Sequence, residues 1–169
     1  MDEQLHMQRS GAGFPVDKPL DALIADHNFV RQMFERFLNT QDMNVRQEAG
    51  PRIIELLEMH AQLEETVFYP AVHDVDAGLV DHSEHEHQEA RQLMNQLKGM
   101  DVGDPQYEQL MRQLSDAVMH HVQSEEQQLF PKVMQAGLDM TALGVQMQAY
   151  EASMVSAAAR ASDRPGQGR

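Results

Sequence analysis

His60 and Glu64, and again His121 and Glu125, stand four residues apart. On an α-helix this spacing stacks two side chains on one face. An imidazole nitrogen and a carboxylate oxygen so placed chelate a hard or borderline metal ion such as iron or manganese. The two pairs belong to longer copies: His60-x-x-x-Glu64-Glu65-x-x-Phe68-Tyr69-Pro70 and, sixty-one residues later, His121-x-x-x-Glu125-Glu126-x-x-Leu129-Phe130-Pro131. In each copy the apolar stripe runs through both chelating residues, by way of Ile53, Leu57 and Val67 in the first and Leu114, Val118 and Leu129 in the second. The pairs therefore point into the interior. Polar groups turned inward need a partner, and two such pairs facing each other suggest a shared metal site.

The duplication reaches further. Asp26-His27-x-x-x-Arg31-Gln32-Met33 returns sixty residues on as Glu86-His87-x-x-x-Arg91-Gln92-Leu93. Each half thus offers one inward histidine followed by one His-x-x-x-Glu, and a bundle with approximate two-fold symmetry brings all six residues to one level. Any single piece is ordinary, because a lone histidine on an apolar stripe is usually a hydrogen-bonded core residue and a lone His-x-x-x-Glu often lies on a solvated face. Six inward polar residues in register would leave unpaired charge in the core unless a cation lay between them.

The elements that must hold these residues read as helices. Leu20, Leu23, Ile24, Val30, Phe34, Phe37 and Leu38 recur at helical spacing from Asp17 to about Asn39. Thr40 to Gly50 is polar and ends in Gly-Pro, which predicts a connection with Pro51 opening a second helix to about Tyr69. Pro70 then ends or kinks it. A turn at Asp76 to Gly78 precedes a third helix that closes at Gly99, and Asp104-Pro105 caps a fourth that bends or stops near Pro131. Leu138 to Arg160 is periodic enough for one more. The expectation is an all-α chain: a mobile N-terminal arm over 1–16, an antiparallel four-helix up-down bundle over 17–136 with an internal two-helix repeat, and an additional C-terminal helix with a flexible tail over 137–169.

Composition supports this and removes other chemistry. Methionine is abundant at 13 residues, tryptophan is absent, and β-branched residues are too few for a sheet protein. No cysteine is present, so disulfides, thiolate metal sites and thiol catalysis are excluded together. A net charge of −14 repels phosphate backbones and anionic membranes, so neither nucleic acid nor a membrane is an expected partner. The first residues lack the apolar core of a secretion signal and no long apolar run occurs, which reads as soluble and cytoplasmic. Seven of the nine histidines fall between His60 and His121.

The order His, His-x-x-x-Glu, His, His-x-x-x-Glu, with Phe-Tyr-Pro or Leu-Phe-Pro following, resembles the hemerythrin-like, or HHE cation-binding, family over about residues 17–136. The resemblance implies that His27, His60, Glu64, His87, His121 and Glu125 hold two non-haem iron ions, oxo- or hydroxo-bridged, with Glu64 and Glu125 spanning both; manganese or zinc would also suit these donors. It further implies a small ligand such as dioxygen, nitric oxide or peroxide. Oxygen carriers of this family supply a fifth histidine one turn before the third, where this chain has Ser83. With four imidazoles, two bridging carboxylates and one bridging oxygen, about ten of roughly twelve bonds are made and about two positions stay open. Glu84 is a possible additional ligand for one of them.

Other residues have two readings at this point. Glu65 and Glu126 lie off the chelating face and either orient ligands or solvate the helix. His120 is about 100° around from His121 and reads as a supporting or surface residue. Met33 and Met94 either fill core or line a small-molecule pocket. Alternatives to the ligand-binding di-iron protein are an iron sensing or storage protein and a metal-stabilised protein-interaction bundle using the last helix; the sequence names no protein partner and leaves enzyme and sensor both open.

Overall fold

A computed structural model describes residues 14–162. Among them every regular element is helical: α1 (Pro19–Leu38), α2 (Met43–Leu63), α3 (Tyr69–Val72), α4 (Ala77–Lys98), α5 (Pro105–Ser124), α6 (Phe130–Gln135) and α7 (Met140–Ser162). α1 packs along α2 and α4 along α5, with further contacts from α1 to α5 and from α2 to α4. α7 lies against α1, α2 and the turn that follows α2. No described helix is long and apolar enough to cross a membrane.

The helix starts follow local chemistry. Asp42, Asp76 and Asp104 each accept a hydrogen bond from a backbone N–H of the first turn, at Asn44, Leu79 and Gln106. Gly137 adopts φ 72°, the left-handed conformation that ends α6, with nothing near enough to restrict it otherwise.

One expected connection is a helix. Thr40 to Gly50 was to be the link before α2, yet α2 begins at Met43 and carries Pro51 in its interior. The proline is tolerated because it sits on the exposed side, where the Gln47 carbonyl it leaves unbonded reaches water. Gly50 is a packing residue: a Cβ there would come within 2.7 Å of the Tyr107 hydroxyl. α4 likewise starts at Ala77, inside the expected turn, with Asp76 as its cap.

The arm expected over 1–16 lies mostly outside the described residues, as does the tail beyond Ser162. Its last part is docked: Phe14 is buried, and the Val16 backbone passes so close to Gly144 of α7 that a side chain there would overlap it.

Two apolar clusters make up the core. One contains Val30, Phe34, Phe37, Ile53, Leu57, Met94, Leu114 and Val118. The other contains Leu20, Leu23, Leu63, Phe68, Val80, Leu129, Phe130 and Met147. Along α1, α2 and α4 the switch from one cluster to the other comes at the histidine, and along α5 it comes just after His121, beyond Val122, so His27, His60, His87 and His121 form a polar stratum between two apolar ones.

Both halves carry the same irregularity at this level. Glu64–Phe68 and Glu125–Leu129 are π-helical turns, in which the Tyr69 N–H bonds to the Glu64 carbonyl and the Phe130 N–H to the Glu125 carbonyl. Pro70 and Pro131 follow immediately. A proline ring collides with the carbonyl four residues back in a regular helix, and the wider turn relieves that collision. The expected kink is thus a local widening that lets α3 and α6 continue.

Candidate metal centre

Each half supplies its candidate ligands from a helix pair. α1 and α2 bring His27 and His60 together with their Nε2 atoms 3.2 Å apart; α4 and α5 do the same with His87 and His121 at 3.1 Å. Glu64 Oε1 lies 2.9 Å from His60 Nε2 and 3.3 Å from His87 Nε2, so one carboxylate reaches both pairs. Glu125 does so with two oxygens, Oε1 at 3.2 Å from His27 Nε2 and Oε2 at 3.3 Å from His121 Nε2. Candidate ligand atoms fall into two groups within 4.8 Å: His27, His60, Glu64 and Glu125, and Glu64, His87 and His121. All six residues that the spacing singled out are therefore adjacent and buried, both carboxylates being 0 % exposed.

The donor set suits a cation. Both oxygens of Glu64 and Oε1 of Glu125 have no hydrogen-bond partner, although they sit close to imidazole nitrogens. A buried carboxylate without a donor costs several kcal/mol, roughly, and that cost is removed when a positive ion lies between it and the imidazole lone pairs. Clustered imidazole and carboxylate donors of this kind fit a metal ion.

A second layer of carboxylates sets the imidazole tautomers. His60 Nδ1 is 3.0 Å from Asp26 Oδ2, and His121 Nδ1 is 3.2 Å from Glu86 Oε1. His27 Nδ1 faces Glu126 at 3.7 Å and His87 Nδ1 faces Glu65 at 3.6 Å. A proton held at Nδ1 of His60 and of His121 would leave the Nε2 lone pair for a metal ion, while Nδ1 of His27 and of His87 makes no hydrogen bond at its longer distance. Glu65 and Glu126 belong with the histidines rather than with solvent, and Arg91 anchors Glu65 at 2.8 Å. Asp26 and Glu86 were visible in the repeat as the residues preceding His27 and His87, but their role depends on which ring nitrogen faces them.

Tyr69 is the contact that helical spacing did not show. Its hydroxyl donates to Glu125 Oε2 at 2.6 Å and lies 3.3 Å from His87 Nε2. Five residues beyond Glu64, it would point away in a regular helix, and the π turn brings it back onto the ligand side. Buried Ser83, in the place of the fifth histidine, lowers the Tyr69 pKa against the larger effect of burial. Phe130, the counterpart of Tyr69, stacks parallel to His27 instead.

Glu84 is absent from both candidate groups, and its charge acts on exposed His73. His120 is 73 % exposed and reaches only toward Glu86. Met94 lines the cavity beside the histidines, whereas Met33 is core.

The charges respond to one another. Burial opposes a positive His121, but Glu125, Glu86 and Glu64 outweigh it and push its pKa up to about 10. His60 and His87 are raised against the same penalty, by Glu64 with Asp26 and by Glu64 with Glu65. Glu125 is held well below the usual carboxylate range because His121 and His27 overcome its burial. His87 and Arg91 hold Glu65 down to about 2, and His121 lowers Glu86 despite partial burial. Burial, then Glu64 and Glu125, push the Tyr69 hydroxyl well up, so it keeps its proton.

Comparison with known proteins agrees with this centre. A DNA nickase of Nostoc sp. is 33% identical over 114 residues, which are 67% of this chain and 32% of the relative, so the chain spans about a third of that relative's length. No solved structure matches at a significant level. The family described as hemerythrin HHE cation binding domain matches residues 18–133, and the chain belongs to that family.

Proposed function

We propose that residues 17–136 form an antiparallel four-helix unit that holds two non-haem iron ions and binds a small ligand the size of dioxygen, nitric oxide or peroxide. The observation that supports this most is the pair of histidine pairs sharing two buried carboxylates whose oxygens lack hydrogen bonds. Iron bound there supplies redox chemistry and vacant coordination positions. His27 with His60 would hold one ion, His87 with His121 the other, and Glu64 and Glu125 both. Asp26, Glu65, Glu86 and Glu126 orient the imidazoles, while Tyr69 holds a proton at its hydroxyl against Glu125 Oε2.

The size of the ligand follows from the space beside the histidines. The cavity there measures about 40 Å³. One water needs about 10–15 Å³ on this measure, and metabolite pockets run to about 300–1,000 Å³. The cavity therefore suits a molecule of two or three atoms. Storage of many ions would need more room. The DNA chemistry in the Nostoc relative's name stays with that relative in our reading, because a net charge of −14 opposes a phosphate backbone.

Elemental analysis and absorption of aerobically purified protein test the reading. We expect two irons per chain and near-ultraviolet charge-transfer bands. Glu64→Ala and Glu125→Ala should each lose at least one ion, and His120→Ala should keep both. Less than one metal per chain with a featureless spectrum would overturn it.

A further inference from the structure

The cavity beside the site has a definite side from which it can be entered. It touches all four imidazoles but neither ligand carboxylate nor Tyr69, so it lies on the Leu57 and Val118 side of the polar stratum. All its lining residues are buried except Glu86, Ala90 and Ala117, and these three lie on α4 and α5. The repeat makes the asymmetry visible. Ala90 corresponds to buried Val30, so at this pair the first half closes the cavity with a branched side chain where the second half has a methyl group, and Ala117 corresponds to Leu56, which is buried outside the cavity lining. Nothing in the ligand set requires this difference, since His27 with His60 and His87 with His121 are otherwise alike.

The rim has one charge. Glu86 is 9% exposed at this rim and lies near His121, exposed His82 and exposed His120. A carboxylate at a narrow apolar opening admits an uncharged diatomic more readily than an anion of the same size.

We propose that the seam between α4 and α5, at Ala90 and Ala117, is the entrance by which a neutral diatomic ligand reaches the imidazole side of the site, with Glu86 selecting against anions. This rests on the ligand-binding reading above and adds the route and the selectivity. The entrance is set by two alanines that touch no metal ligand through a hydrogen bond, so enlarging them changes access while leaving the ligands in place.

Two measurements test it. In iron-loaded, reduced protein, stopped-flow mixing with nitric oxide should show association at least tenfold slower in Ala117→Leu and in Ala90→Val, with iron content and final spectrum unchanged. Ala90→Val installs the residue that the first half already carries, which guards against a variant that fails to fold. Azide should bind more slowly than nitric oxide at low ionic strength, and added salt should speed azide alone. In the metal-free chain, xenon should shift the NMR signals of Met94 and Val118 methyl groups, and both variants should weaken that shift. Unchanged nitric oxide rates in both fully loaded variants would overturn the entrance, and azide as fast as nitric oxide would overturn the selection. If the loaded parent protein gives no nitric oxide spectrum, the ligand-binding reading fails, whereas the xenon shifts still accept or reject the seam.

Discussion

Tyr69 donates its hydroxyl proton to Glu125 Oε2 across 2.6 Å, whereas Phe130, its counterpart sixty-one residues on, offers His27 only the face of a ring. The two halves match in their six candidate ligands and differ here. Tyr69→Phe removes the one hydroxyl donor on Glu125. A hydrogen bond to a charged acceptor is worth about 1.5–3 kcal/mol, and the metal-free variant should unfold in denaturant with that loss. A loss under about 0.5 kcal/mol would show that Glu125 does not depend on the hydroxyl.

The outer carboxylates should rank by distance. Asp26 and Glu86 approach their imidazoles at 3.0 and 3.2 Å, while Glu65 and Glu126 stay at 3.6 and 3.7 Å. Asp26→Asn and Glu86→Gln should each weaken metal binding by about 10–100-fold. Glu65→Gln and Glu126→Gln should have smaller effects and retain both ions. Competition with a chelator of known affinity measures all four; equal losses would mean that the long contacts tighten when metal enters.

Acidity follows from the histidines. His121 has a pKa of about 10 in the folded chain against an ordinary 6.5. Its charged pairing stabilises the metal-free fold fully below pH 6.5 and is lost as pH rises toward about 10. Glu65, at about 2 against 4.5, contributes above pH 4.5 and is lost as pH falls toward about 2. Metal-free protein should therefore melt at lower temperature at pH 9 than at pH 6. Loaded protein should not follow it, because ligation requires neutral imidazoles and keeps them so. Metal uptake at neutral pH should release protons, which a pH-stat records, and affinity should rise with pH. Uptake without proton release would mean that the histidines are already neutral.

Much of the centre was legible because periodicity and duplication report the same thing twice. His27, His60, Glu64, His87, His121 and Glu125 each fall on an apolar stripe, and the repeat supplies a second copy as a check. Signals read from adjacent residues did less well. Gly50-Pro51 has the composition of a connection, but the glycine answers to Tyr107, fifty-seven residues away, and the proline faces water. Tyr69 was hidden for a geometric reason, since counting at a constant 100° per residue puts it off the ligand face.

The docked segment before α1 gives a stability test. Gly144→Ala sets a side chain against the Val16 backbone, which cannot move aside as a flexible side chain would. Overpacking of this kind costs about 1–3 kcal/mol. At about 2–4 °C per kcal/mol for a chain of this size, the melting temperature should fall by several degrees with metal content unchanged. Gly50→Ala meets a tyrosine hydroxyl and should cost less. If Gly144→Ala melts normally, the segment is not held against α7.

The π turns at Glu64–Phe68 and Glu125–Leu129 also bear on which changes of length this chain tolerates. Each contains one residue more than a regular turn would use, so deleting Glu65 or Glu126 would let the helix close into an ordinary ladder. Locally that would bring back the collision between the proline ring and the carbonyl four residues before it. Everything after the deletion would then turn by about 100° relative to everything before it, carrying Tyr69 away from Glu125 in one half or Phe130 away from His27 in the other. Point substitutions between ligand and proline are open to selection in the usual way, but the count of residues between them is not. A lineage that lost one residue there would set its proline against a regular ladder and lose the alignment between its two sides.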